Sequence, residues 1–116
     1  MADPIELWDA LMEDRRLMKA AVSEASERGR DYAVKKAAYY SAKSAAALKM
    51  KADGMPVTLI DAAVKGVDGV AAAMLEMQCA EAAWRAAMKA VDVYRDDCRI
   101  VYDQIKRAQA ADPDYM

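Results

Sequence analysis

Between residues 70 and 108, apolar side chains recur every seven residues, and this pattern constrains the fold more than any other feature of the 116-residue chain. One row is Val70, Met77, Trp84, Val91, Cys98 and Ile105. A second row, three residues further on, is Ala73, Ala80, Ala87, Tyr94, Val101 and Ala108. An a/d pattern sustained over six heptads is typical of a helix that packs against another helix as in a coiled coil.

A second seven-residue row predicts a long first helix as the packing partner. Its members are Leu11, Met18, Ala25, Tyr32, Tyr39 and Ala46. Asp3 is a good N-cap before Pro4, and Gly54 followed by Pro56 predicts the end of this helix. We expect an all-α fold, a long antiparallel, coiled-coil-like helical hairpin with a short connecting helix. The single domain covers residues 1–116, with helices at about 4–52, 58–65 and 68–111.

The connecting segment is expected to close one end of the hairpin. Thr58 and Asp61 have the spacing of a capping box, and Gly66 predicts the end of the short helix. Four apolar residues would cover the core end: Leu59, Ile60, Ala63 and Val64. An exposed tip that docks a partner is the alternative. A helix-turn-helix is excluded because the next helix carries no Lys or Arg before Arg85, as major-groove recognition would need.

Further apolar residues lie beside the predicted seams. They are Trp8, Met12, Val22, Val34 and Leu48 on the first helix, and Met74, Leu75, Met88 and Tyr102 on the last. An apolar band this wide usually contacts more than one neighbouring helix. We therefore predict a homodimer that pairs two hairpins into a four-helix arrangement.

The composition argues against catalysis. The chain has no His, which removes the usual nucleophile pairs and imidazole metal sites, and it has no Gly-rich phosphate loop. Cys79 and Cys98 lie in one predicted helix, about 28 Å apart, too far for a disulfide within the chain. We expect buried free thiols, with an intermolecular disulfide as the alternative. The sequence predicts no enzyme activity, no cofactor and no metal.

Charge is unevenly distributed along the chain. Residues 1–14 contain five acids and no base, whereas residues 15–51 contain ten Lys or Arg against three acids. Six residues of the basic segment share one side of the first helix: Arg28, Tyr32, Lys35, Lys36, Tyr39 and Lys43. Cations can bind phosphates and aromatic rings can stack on bases, so this set predicts a site for single-stranded nucleic acid or for a nucleic-acid-binding protein complex.

A structural role for the same residues is the competing interpretation. Tyr32 and Tyr39 also lie on the seven-residue row, so their rings can belong to the seam while lysine stems lie over the core. The lysines can also pair with acidic residues of another helix. An isoelectric point near 5.1 argues against a dedicated DNA-binding protein, since such proteins are usually basic overall.

Cellular location follows from two expectations. No stretch approaches the roughly 18 apolar residues that a membrane span needs. The chain starts with acidic residues where a signal peptide carries bases, which predicts a cytoplasmic protein with no membrane partner.

The connecting segment also resembles a known group of proteins. The run from Ala47 to Ile60, with Gly54-Met55-Pro56-Val57-Thr58-Leu59-Ile60 its most specific part, is similar to small helical proteins encoded by bacteriophages and prophages of Gram-positive bacteria. Gly66-Val67 and residues 79–84 extend the likeness, which covers roughly residues 39–107. Genes for these proteins often lie among replication and recombination genes. The resemblance implies a phage context, with host cytoplasm as the location, and brings no catalytic residues.

In that context three functions remain open. The first is a non-catalytic accessory of phage DNA metabolism that contacts single-stranded nucleic acid or the proteins that handle it. The second is a stoichiometric inhibitor of a host defence nuclease complex, as anti-CRISPR proteins are. The third is a purely structural oligomer.

Overall fold

The computed structural model describes residues 3–112 and 114, and over that range the protein is all-helical with no strand. Three helices follow one another: α1 (Pro4–Ala52), α2 (Val57–Val64) and α3 (Asp68–Ala111). The all-α fold class is confirmed. The bounds of α1 and α3 coincide with those expected from the sequence, and α2 begins and ends one residue earlier.

Both ends of α1 are capped by the residues that the sequence indicates. The Ile5 amide donates a hydrogen bond of 2.8 Å to Oδ1 of Asp3, which makes Asp3 the N-cap. At the other end, Gly54 has φ +86°, a left-handed conformation that glycine adopts without a Cβ penalty. The amides of Gly54 and Met55 donate to the carbonyls of Lys51 and Met50, the two hydrogen bonds of a Schellman motif.

The predicted capping box of α2 is wrong. Pro56, with extended backbone angles, occupies the N-cap position, and no side chain caps the helix. The carbonyl of Pro56 accepts a hydrogen bond of 2.9 Å from the Leu59 amide, so the first helical turn already includes Thr58. An N-cap residue must lie outside the helical backbone, and Thr58 is therefore one residue too far along the chain to cap it.

The chain divides into two compact units, and each contains a segment of α1 and a segment of α3. The first comprises the described residues up to Ser26 and those from Arg85 onward. Leu11, Ile105 and Ala108 are buried in it. Its two helix segments border a shallow groove of about 410 Å³ lined by Val22, Ala25, Met88, Val91 and Asp92.

The second unit, Glu27–Trp84, has its core where α2 packs against the two long helices. Tyr39, Ile60, Val64 and Val70 form this core, and Val64 is the most buried of them, with 1% of its surface exposed. Ile60 and Val64 are thus buried, as expected for residues that cover the core end. The same prediction is wrong for Leu59, which is 57% exposed because α2 turns that side chain away from the core.

The seven-residue periodicity is confirmed by burial. Every residue of the row on α1 and of both rows on α3 is buried or partly buried. Several apolar residues outside these rows are exposed, including Val34, Leu48 and Leu75.

None of the described helices combines the length and apolar character that crossing a membrane requires.

The two cysteines are free thiols in different environments. Cys79 is exposed and Cys98 is partly buried, so the expectation of a buried thiol is wrong for Cys79. The reason is the heptad pattern, since Cys98 lies on a seam row of α3 and Cys79 does not. Burial raises the pKa of the Cys98 thiol, and the negative charge of Asp14 raises it further.

We expect the two thiols to react at different rates. At mildly alkaline pH, a raised pKa leaves less Cys98 thiolate, and the thiolate is the reactive form. Cys79 should therefore react with a thiol reagent about tenfold faster than Cys98. The rates can be measured on Cys79→Ser and Cys98→Ser variants, with equal rates expected in denaturant. Equal rates in the folded proteins would contradict the difference in burial.

Candidate partner-binding surface on the first helix

The six predicted site residues lie on α1 within the second unit, but their exposure differs. Arg28 and Lys36 are exposed, Tyr32, Lys35 and Lys43 are partly buried, and Tyr39 is buried. Residues that share one side on a helical wheel thus differ in how far they are accessible to a partner.

Tyr39 belongs to the core of the second unit. Its ring is 7% exposed and packs with Ile60, Val64 and Val70. A ring that stacks on a nucleic-acid base needs an open face. The burial of Tyr39 therefore favours the competing interpretation, in which Tyr39 is a residue of the helix–helix seam. Its place on the seven-residue row indicates the same role.

Tyr32 contributes to an aromatic contact between α1 and α3. Its ring stacks on that of Trp84, with ring centroids 5.5 Å apart and planes inclined by 24°. The ammonium of Lys36 lies 5.8 Å from the Tyr32 ring centroid, within the range of a cation–π interaction. Gly29 lies against the same indole, and a Cβ at that position would be 3.0 Å from Nε1 of Trp84.

Gly29→Ala is expected to lower the free energy of unfolding by about 1 kcal/mol. Alanine favours the helix by about 1 kcal/mol over glycine, but its methyl group would press on an indole that the stacked Tyr32 ring restrains. Gly69→Ala is the matched control, because a Cβ at Gly69 in α3 meets no atom within 4 Å. Urea denaturation measures both variants. Equal stability of Gly29→Ala and Gly69→Ala would contradict this expectation, because it would mean that the indole of Trp84 moves aside without a cost in free energy.

Lys35 forms an ion pair with α3. Its Nζ lies 3.6 Å from a carboxylate oxygen of Glu76. Lys35 thus pairs with an acidic residue of another helix, as the competing structural interpretation expects. The pair borders a shallow groove of about 320 Å³ whose lining includes Arg28, Asp31 and Cys79. Charges of both signs surround this groove, so it offers no uniformly basic surface to a phosphate chain.

The exposed aromatic ring of the basic segment is Tyr40, which the sequence reasoning missed. Tyr40 is 53% exposed and lies four residues after Lys36 and three before Lys43, so the three side chains share one face of α1. The ammonium of Lys43 also lies 6.0 Å from the centroid of the buried Tyr39 ring. We call Lys36, Tyr40 and Lys43 the Tyr40 surface. The sequence does contain a signal for Tyr40: it lies outside the seven-residue row, whose members face another helix, and an exposed side chain could therefore be expected.

Among residues 3–112 and 114, no group of three or more Cys, Asp or Glu side chains is placed to hold a metal ion. The chain matches no known protein family, no curated protein and no solved structure.

Proposed function

We propose that this chain is a non-catalytic helical binding protein of bacteriophage type. It serves phage DNA metabolism by contacting single-stranded nucleic acid, or a protein that handles it, through the Tyr40 surface. The observation that carries this proposal is the exposed Tyr40 ring between Lys36 and Lys43 on one helix face.

The physical argument rests on how a flexible strand is bound. Phosphates are attracted by cations along a helix, and an unpaired base gains about 1–3 kcal/mol from stacking on an exposed ring. Lys36 and Lys43 lie within the segment of the chain that has the largest excess of bases, residues 15–51. The Tyr40 ring lies 5.3 Å from the Tyr39 ring, centroid to centroid, and is 53% exposed, so it supplies the accessible ring face that the buried Tyr39 cannot.

The test is fluorescence anisotropy with labelled single-stranded and double-stranded oligonucleotides. We expect preferential binding to single strands that weakens steeply with salt, because each neutralised phosphate releases counterions. Tyr40→Ala and the double variant Lys36→Glu with Lys43→Glu should each weaken binding by more than about tenfold. Lys65→Glu with Lys89→Glu makes the same charge change elsewhere and serves as control. Absence of binding to any strand at low salt would contradict a direct nucleic-acid contact.

The same chain is proposed to form a homodimer in a four-helix arrangement. The exposed apolar residues outside the seams support this proposal, since a monomer leaves Ile5, Trp8, Met12 and Val22 in contact with water. Light scattering at tens of micromolar measures the mass directly. A single-chain mass under those conditions would contradict the dimer.

The exposed apolar residues also favour a second candidate function, stoichiometric inhibition of a host defence nuclease complex. Large apolar side chains exposed together are typical of surfaces that bind other proteins. A nuclease assay with added protein tests this candidate, and inhibition that saturates at a fixed ratio of chains to complex is the expected result.

A further inference from the structure

The start of α1 carries a second exposed surface of opposite charge. Ile5, Trp8 and Met12 are spaced by three and four residues, so they form one apolar row along the helix. All three are exposed, Trp8 at 47%. Glu6 and Asp9 are exposed beside them, and the first 14 residues contain no base. We call these five residues the Trp8 surface.

The two acids of this surface, Glu6 and Asp9, form no ion pair with any of the residues that the structure describes. The neighbouring Glu13 already accepts two hydrogen bonds from the Arg16 guanidinium, at 2.6 and 2.9 Å. That contact holds the pKa of Glu13 below its usual value. The charge of Glu13 is thus compensated within its own helix, and the attraction for a partner comes from the two acids nearer the start of α1.

We propose that the Trp8 surface of one copy docks on the Tyr40 surface of a second copy. This inference rests on the proposed self-association and names its surfaces. Carboxylates beside an apolar row meet ammonium groups beside an exposed aromatic ring, so charges and apolar areas are both complementary. Both surfaces lie on α1, and a continuous helix cannot fold back on itself. The two surfaces therefore meet only between copies.

The pairing has a consequence for nucleic-acid binding. Lys36 and Lys43 can neutralise either the carboxylates of the second copy or the phosphates of a strand. Self-association and strand binding therefore compete for the Tyr40 surface, and the acidic start of α1 acts as an anionic mimic of the strand.

Charge exchange tests the docking directly. The first variant carries Glu6→Lys and Asp9→Lys, and the second carries Lys36→Glu and Lys43→Glu. Light scattering at tens of micromolar should give a single-chain mass for each variant alone, because like charges then face each other. An equimolar mixture should recover the mass of two or more chains, since opposite charges are restored at the contact. Circular dichroism checks that each variant remains helical.

Matched controls separate this contact from general charge effects. Asp53→Lys with Asp61→Lys, and Lys65→Glu with Lys89→Glu, make the same charge changes elsewhere and should keep the wild-type mass. Trp8→Ala should weaken association, whereas Val34→Ala, at another exposed apolar position, should not.

Three results would overturn the inference: a single-chain mass for the wild type, wild-type mass for both charge variants, or no recovery in the mixture. These experiments contain no nucleic acid, so their outcome is independent of the anisotropy test. Failure of strand binding leaves the docking intact. Failure of the charge exchange alone leaves the proposed strand contact intact.

Discussion

Trp84→Ala is expected to lower the free energy of unfolding by about 3 kcal/mol. The indole is partly buried, stacks on Tyr32 and lies against the backbone of α1 at Gly29. Its removal exposes the face of Tyr32 and leaves a cavity that two long helices cannot easily close. Aromatic stacking adds about 0.5–1.5 kcal/mol to the loss from burial.

Trp8→Ala provides the matched control for Trp84→Ala. It removes the same side chain from an exposed position of α1, and a loss below about 1 kcal/mol is expected. Both variants should be measured by urea denaturation at low protein concentration, so that self-association does not contribute to apparent stability. Equal losses for the two variants would show that Trp84 stabilises the fold no more than a surface tryptophan does.

Val64→Asp is expected to disrupt the core of the second unit, with a loss of at least about 3 kcal/mol. Val64 is the most buried core residue, and none of the described residues with a buried side chain is polar or charged. A carboxylate there would lose its hydration without gaining a partner. It would be protonated or would force α2 away from the long helices, and either outcome costs free energy.

Leu59→Asp makes the same kind of change on the opposite side of α2. Leu59 is exposed, so a loss within about 0.5 kcal/mol is expected. Thermal denaturation followed by circular dichroism compares the two variants, and limited proteolysis reports whether α2 has detached. A large loss of stability for Leu59→Asp together with a small loss for Val64→Asp would contradict this orientation of α2, because it would mean that Leu59 and not Val64 faces the core.

Much of the fold can be predicted from the sequence, because it depends on the spacing of apolar residues and on residues that are neighbours in the chain. The seven-residue rows predict which side chains of α1 and α3 are buried, because a helix presents every such residue to the same side. Asp3 and Gly54 predict both ends of α1, because a cap depends only on the backbone next to it. The candidate site was less predictable, since a helical wheel does not say which residue of a basic face another helix covers.

The helices, the ends of α1 and the seams could thus be predicted from the sequence, because their causes are periodicity and local backbone conformation. Other features became known from the packing of the helices: Tyr39 is a core residue, Lys35 pairs with Glu76, and Tyr40 is the exposed ring. The exposure of Leu59 and Cys79 is likewise a result of packing. Each of these outcomes depends on where a residue distant in sequence packs, and the free energy of that packing belongs to the pair of elements rather than to either one.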